Sequence, residues 1–221
     1  LAQFHDAVFD VPIPADRFAI EDRGDATPLG KFVALPEAIP SRLIGQVVPS
    51  FQLVGEQKVP ISSEHFRGKV TAILWLAGLS SYSSVRNFDT LAGDLSNKPF
   101  QFGVVYSDAD VNQAGSLVVV DELAAYTDVK NVDFYFDSLT KANKLFQMNV
   151  VPSVIVLDEN MRLQFAVPIE NDNWERDLKA AMLRVGDGEN VSEEMRQSYG
   201  RFIDSYRQQL RAVSAQKLLD Q

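Results

Sequence analysis

Residues Val70 to Ala77 read Val-Thr-Ala-Ile-Leu-Trp-Leu-Ala, an almost continuous apolar run introduced by Gly68-Lys69. A strand with one face in water alternates apolar and polar side chains; this run has no polar face to offer. It therefore predicts a central parallel strand covered on both sides by helices. That single expectation constrains the rest of the chain, which must supply helices for two faces and strands for two flanks.

The flanking patterns meet that demand. Phe51-Gln52-Leu53-Val54 reads as a short extended segment turned by Gly55. After the apolar run, Gly78 to Ser84 is a polar turn rich in candidate N-caps, and Val85, Phe88, Ala92 and Leu95 then recur at helical spacing. Phe100 to Tyr106 predicts a second strand, Gly115 to Tyr126 a helix, and Phe134-Tyr135-Phe136 a short strand. Ser138 is the expected cap of a helix through Phe146, with Leu139, Ala142 and Phe146 on one face. Val154 to Leu157 repeats the buried-strand signature, Asp158-Glu159-Asn160 turns the chain, and Leu163 to Val167 returns as a hairpin partner. Asp172 with Glu175 has the spacing of a capping box. It opens a helix that points Trp174, Leu178, Ala181, Met182 and Val185 inward, stopped by Gly186-Asp187-Gly188. Residues 190–219 form one more helix, on which Met195, Tyr199, Phe202, Tyr206, Leu210 and Val213 make an apolar stripe. Packing of that stripe on its own domain is expected; docking of a partner or a second copy, giving a homodimer, is the alternative. Alternating strands and helices make the class α/β with one mixed sheet.

Composition removes several functions. A net charge of −9 opposes nucleic-acid binding, because an acidic surface repels phosphates. The sequence has no cysteine, which removes disulfides, thiolate nucleophiles and thiolate metal sites together. No apolar run approaches the ~20 residues of a membrane-spanning helix, and no signal peptide is visible at Leu1. Residues 1–42 differ from the rest of the chain: Pro12, Pro14, Pro28, Pro36 and Pro40 interrupt any ladder, so they read as an arm or linker. Residues 43–188 then form the main domain and 189–221 the terminal amphipathic helix.

Three segments carry a resemblance. Ile44-Gly45-Gln46-Val47-Val48-Pro49-Ser50-Phe51-Gln52-Leu53 resembles the opening of thioredoxin-like proteins of the TlpA/ResA and AhpC/TSA type. Gly68-Lys69 with its apolar strand is similar to their Gly-Lys-Val lead into the central strand, and Val150-Val151-Pro152-Ser153 before Val154 to Asp158 resembles their cis-proline loop. The order and spacing agree over roughly residues 44–185. The resemblance implies a three-layer thioredoxin-like α/β/α sandwich with a mixed central sheet, protein or peptide partners, and an extracytoplasmic, cell-envelope setting. It also implies that Ser80 and Ser83 occupy the two positions of the family's Cys-x-x-Cys turn, with Ser81 and Tyr82 between them and Leu79 in place of the usual Trp. Thiol–disulfide exchange needs a thiolate and a sulfur electrophile, and a serine hydroxyl ionises far above a thiol. The expected function is therefore a redox-inactive module that binds or positions a protein or peptide through Ser80 to Ser83 and the loop at Val151-Pro152, the residue before a cis-proline presenting its backbone to an extended chain. An oxidoreductase or peroxidase relative using another or a borrowed nucleophile, and a structural dimerisation module, remain the alternatives. Phe9 to Pro14 also resembles the closing stretch of LolA-like lipoprotein-carrier domains, which implies that residues 1–42 end a preceding domain.

Other chemistry finds little support. The Ser-Ser-Tyr-Ser-Ser turn lacks a Gly-x-Ser-x-Gly elbow, and a serine nucleophile needs a base. The two histidines are His5, in the arm, and His65, expected at the opposite end of the central strand. Asp108-x-Asp110-x-Asn112 lacks the Gly and terminal Glu of a calcium loop, and no glycine-rich phosphate loop is present. No metal or cofactor is expected. Trp75 is assigned to the core, Trp174 to a half-buried helix start, and Tyr82 to the substrate edge.

Overall fold

The computed structural model describes residues 39–55, 58–76, 82–108, 121, 125, 128–169 and 172–219, with the backbone alone at 82, 108 and 213–219. Within them the strands are β1 Gln52–Gly55, β2 Pro60–Ser62, β3 Val70–Leu76, β4 Phe100–Asp108, β5 Asp133–Ser138, β6 Ser153–Leu157 and β7 Leu163–Pro168. The helices are α1 Tyr82–Asp94, α2 Lys141–Leu145, α3 Trp174–Gly186 and α4 Ser192–Leu219, with a 3-10 turn at Ser63–Phe66.

The strands form one sheet in the order β2-β1-β5-β4-β3-β6-β7. β3 lies parallel to β4, and β4 to β5, while β6 runs antiparallel to β3 and β7 antiparallel to β6. β3 is buried along its whole length, as its composition requires. Side chains alternate across a strand, so Val70, Ala72, Leu74 and Leu76 enter one core and Ile73 and Trp75 the other. The first core is closed by Val85, Phe88, Leu91 and Ala92 of α1 and Leu178, Ala181 and Met182 of α3. The second gathers Phe51, Phe66, Phe146 and Tyr199 against Trp75. This is the expected three-layer α/β/α sandwich with a mixed sheet.

Local details depart from the sequence reading in four places. The helix expected from Ser138 through Phe146 spans only Lys141–Leu145. Leu139 and Thr140 hold φ of 58° and 53°, so the chain passes through a left-handed pair before turning helical, and Leu139 is exposed rather than on the packed face. The helix start is capped by the Asp137 carboxylate, which accepts from the Ala142 and Asn143 N–H groups at 2.8 Å each. At α3 the capping box does not form. Asn173 is the N-cap and makes no side-chain cap bond, and Glu175 instead accepts from Asn87 Nδ2 at 2.7 Å, tying α3 to α1. Trp174 is buried, not half buried. β2 does not show in the sequence pattern, because Pro60 opens it; proline is tolerated as the first residue of an edge strand.

Packing of α4 is divided. Met195 and Tyr199 meet the sheet, and the Tyr199 hydroxyl donates to the Ala166 carbonyl of β7 at 3.2 Å. Further along, Phe202 is 49% and Leu210 38% exposed, Tyr206 is half-buried and the Val213 side chain lies outside the described residues, so among the described residues full burial of the stripe holds for the first turns. At the opposite end of β7, the Gly45 N–H donates to the Leu163 carbonyl, and the Leu163 N–H to the Gln46 carbonyl. Gly45 holds φ +84°, a conformation that side chains disfavour, and a Cβ there would meet Ser192 and Arg196 at 3.1 Å. That explains the glycine physically. The predicted helix at 115–126 lies largely outside the described residues, as does the arm 1–38.

Candidate functional site

The register places the candidate site at one end of the sheet. Trp75 pairs with Ser153, so β3 leaves the sheet beside the point where β6 enters it. β4 and β5, parallel to β3, leave at the same end. Since β3 and β4 are parallel, the helix joining them must begin where β3 exits, and α1 does begin at Tyr82, six residues beyond Leu76. Ligands of open α/β sheets bind outside such carboxyl ends.

Val151-Pro152, immediately before β6, is a cis peptide bond. Its neighbours fix the loop. The Ser153 hydroxyl donates to the Val150 carbonyl at 2.8 Å, and the Ile169 N–H donates to the Pro152 carbonyl at 3.2 Å. Val151 itself is half-buried against the second core, yet its N–H and C=O bond to no described residue. A main-chain donor and acceptor on one residue, held by packing and outside the sheet ladder, is what an added strand requires.

Of the four residues expected opposite this loop, Ser83 is exposed on the first turn of α1. Ser80 and Ser81 lie outside the described residues, as does the Tyr82 side chain. The first turn of α1 carries no acidic residue, so its own sequence does nothing to offset the positive end of the helix dipole. His65 sits at the other end of the sheet, 2.9 Å from the amide of Gln101, which pairs with Thr71 near the start of β3. His5, Asp110 and Asn112 lie outside the described residues. Among the described residues, no group of three His, Asp or Glu side chains is placed to hold a metal.

One supporting residue escapes sequence reasoning. Asp137, fully buried at the end of β5, accepts from the Ser107 hydroxyl of β4 at 2.9 Å as well as capping α2. It thereby ties two strand ends to α2, which leads into the Val151-Pro152 loop. One aspartate after an apolar strand carries no signal that separates this role from a surface turn. Trp75 lies in the core as expected and packs on Phe146 with ring centroids 4.9 Å apart. Its indole Nε1 has no hydrogen-bond partner among the described residues.

Solved structures share this fold. No protein-family model matches the sequence, and no curated protein does. Solved structures do match. A candidate thioredoxin from Neisseria meningitidis superposes with a TM-score of 0.52 at 20% identity, covering 64% of this chain and 93% of its own. An uncharacterized conserved protein from Geobacillus kaustophilus gives 0.58 at 17% identity, over 69% and 88%. A candidate thiol:disulfide interchange protein, DsbE, from Chlorobium tepidum gives 0.51 at 19%, over 62% and 96%. The chain has the thioredoxin-like fold, and the turn that carries paired cysteines in the resemblance contains none here.

Proposed function

We propose that the chain is a thioredoxin-like binding module without redox chemistry of its own, holding an extended segment of a protein partner between the Ser80 to Ser83 turn and the Val151-Pro152 loop. The observation that carries this reading is Val151, whose N–H and C=O bond to no described residue at the sheet end where β3 exits. The lack of any cysteine supports the redox-inactive half of the reading. The resemblance to TlpA-type proteins supports a cell-envelope setting and a division into an arm to residue 42, a domain over 43–188 and a terminal helix. Selection of unstructured peptides from a displayed library against the intact protein, followed by titration of the best binder, tests the site. Val151→Asp should weaken that peptide at least about tenfold, ~1.4 kcal/mol, measured at a temperature where circular dichroism shows both proteins folded, since the side chain is half-buried against the second core. Equal affinity of both proteins would move the surface elsewhere. Turnover of insulin disulfides or of peroxide by the unaltered chain would instead favour the enzyme alternative.

The assignment of Ser80 and Ser83 has its own test. In Ser80→Cys/Ser83→Cys, the two thiols should close an intramolecular disulfide on oxidation. The thiol placed at the helix start should titrate below the ~8.5 of a free cysteine. Failure of the pair to close would show that the two positions do not face one another.

A further inference from the structure

The outer part of α4 is the surface that the peptide site leaves unused. The helix runs 28 residues, about 42 Å at 1.5 Å per residue, yet among the described side chains its packing in the core under the sheet reaches only to Tyr199. Phe202 and Leu210, exposed, continue the face of Met195 and Tyr199 outward. Where α4 leaves the domain, it walls a groove of about 410 Å³ with α3 and β7. The groove is floored by Phe165, Val167 and Met195 and rimmed by Asp177, Arg184 and Glu194.

Charge is divided along the same helix. Its first turn carries Glu193 and Glu194; hydrogen bonds from Gln197 and Arg196 hold the Glu193 carboxyl below the usual carboxylate range. Residues 200–219 carry Arg201, Arg207, Arg211 and Lys217 against Asp204 alone, a net +3 within a chain of −9. Arg201 and Arg211 make no salt bridge with a described residue.

We infer that a second copy of the chain covers this surface, with the two α4 helices packed antiparallel. Antiparallel pairing lays the basic half of each helix along the acidic first turn of the other and joins the two Phe202 faces in one seam. Parallel pairing would set like charges side by side. Antiparallel pairing also carries Leu210 of each copy towards the groove of the other. That groove supplies contact area a single stripe lacks, since a stable interface removes roughly 800 Å² from each partner. The arrangement is self-complementary and closes as a two-fold dimer. An anionic bilayer also accepts basic amphipathic helices, but here the acidic body and the two glutamates at the helix root oppose it.

Sedimentation of the intact chain over a concentration series tests the inference, independently of the peptide site, because the two surfaces share no residue. The mass should rise from 24.6 kDa towards twice that value. Phe202→Glu should weaken association at least about tenfold. Arg207→Glu/Arg211→Glu should do likewise, and adding Glu193→Arg/Glu194→Arg to that variant should restore the dimer. All five positions are exposed, so far-ultraviolet circular dichroism should show an unchanged fold. Monomeric mass at every concentration would overturn the inference. So would a dimer indifferent to these changes, or capture of monomers by phosphatidylglycerol vesicles through α4.

Discussion

Replacing Trp75 by alanine should lower the unfolding free energy by about 3–5 kcal/mol, the range for deleting a large aromatic from a close-packed interior. Trp75 is fully buried near the end of β3 and packs on Phe146, which in turn meets Phe51 at 5.0 Å. The removed side chain therefore leaves a void bounded by rings from separate parts of the chain, which cannot all close on it. The denaturant midpoint should fall with little change in slope. Trp75→Phe should recover most of the loss. It keeps the ring contact and removes an indole N–H that has no partner among the described residues, so no described hydrogen bond is sacrificed. A loss below about 1 kcal/mol for alanine would mean that this face of the sheet is loosely packed.

Asp137→Ala should cost about 3 kcal/mol or more, for a different reason. The carboxylate accepts from the Ser107 hydroxyl and from two main-chain N–H groups, at Ala142 and Asn143. Removing it strands buried donors, each costing about 1–3 kcal/mol when nothing replaces the acceptor. Asp137→Asn should retain only part of the stability, because its amide turns one acceptor into a donor facing donors. The effect should extend beyond stability. α2 leads into the loop of the cis-proline, so hydrogen exchange should quicken over residues 141–151 in both variants. Unchanged exchange there would show that the loop is held independently of the Asp137 cap.

The middle of the molecule is legible from sequence because continuous burial leaves a coarse, redundant pattern. Val70 to Leu76 and Val154 to Leu157 can be read without knowing their partners, and α3 displays its buried face residue by residue. Boundaries are harder, since they depend on single hydrogen bonds. Glu175 has the spacing for a capping box but finds Asn87, which is distant in sequence. Asp137 displaces Ser138 as the cap because a left-handed pair intervenes. Of the candidate site, the proline loop is readable through the family resemblance, and its cis bond is present in the structure. That the Val151 backbone bonds to no described residue is not readable, because it depends on where every neighbouring carbonyl and amide goes. The outer half of α4 meets the same limit: periodicity shows that a face is apolar, but not what lies against it.

The outer margin of β7 is finished by other parts of the chain: Gly45 and Gln46 bond to Leu163, and Tyr199 reaches Ala166. An unfinished margin is a template for a stranger's strand. The segment before β1 and the last helix thus serve as selvedges, keeping the sheet from growing. A version shortened at either place would lose this protection as well as its length, and any clumping it showed would reflect raw sheet edges rather than the pairing of intact molecules.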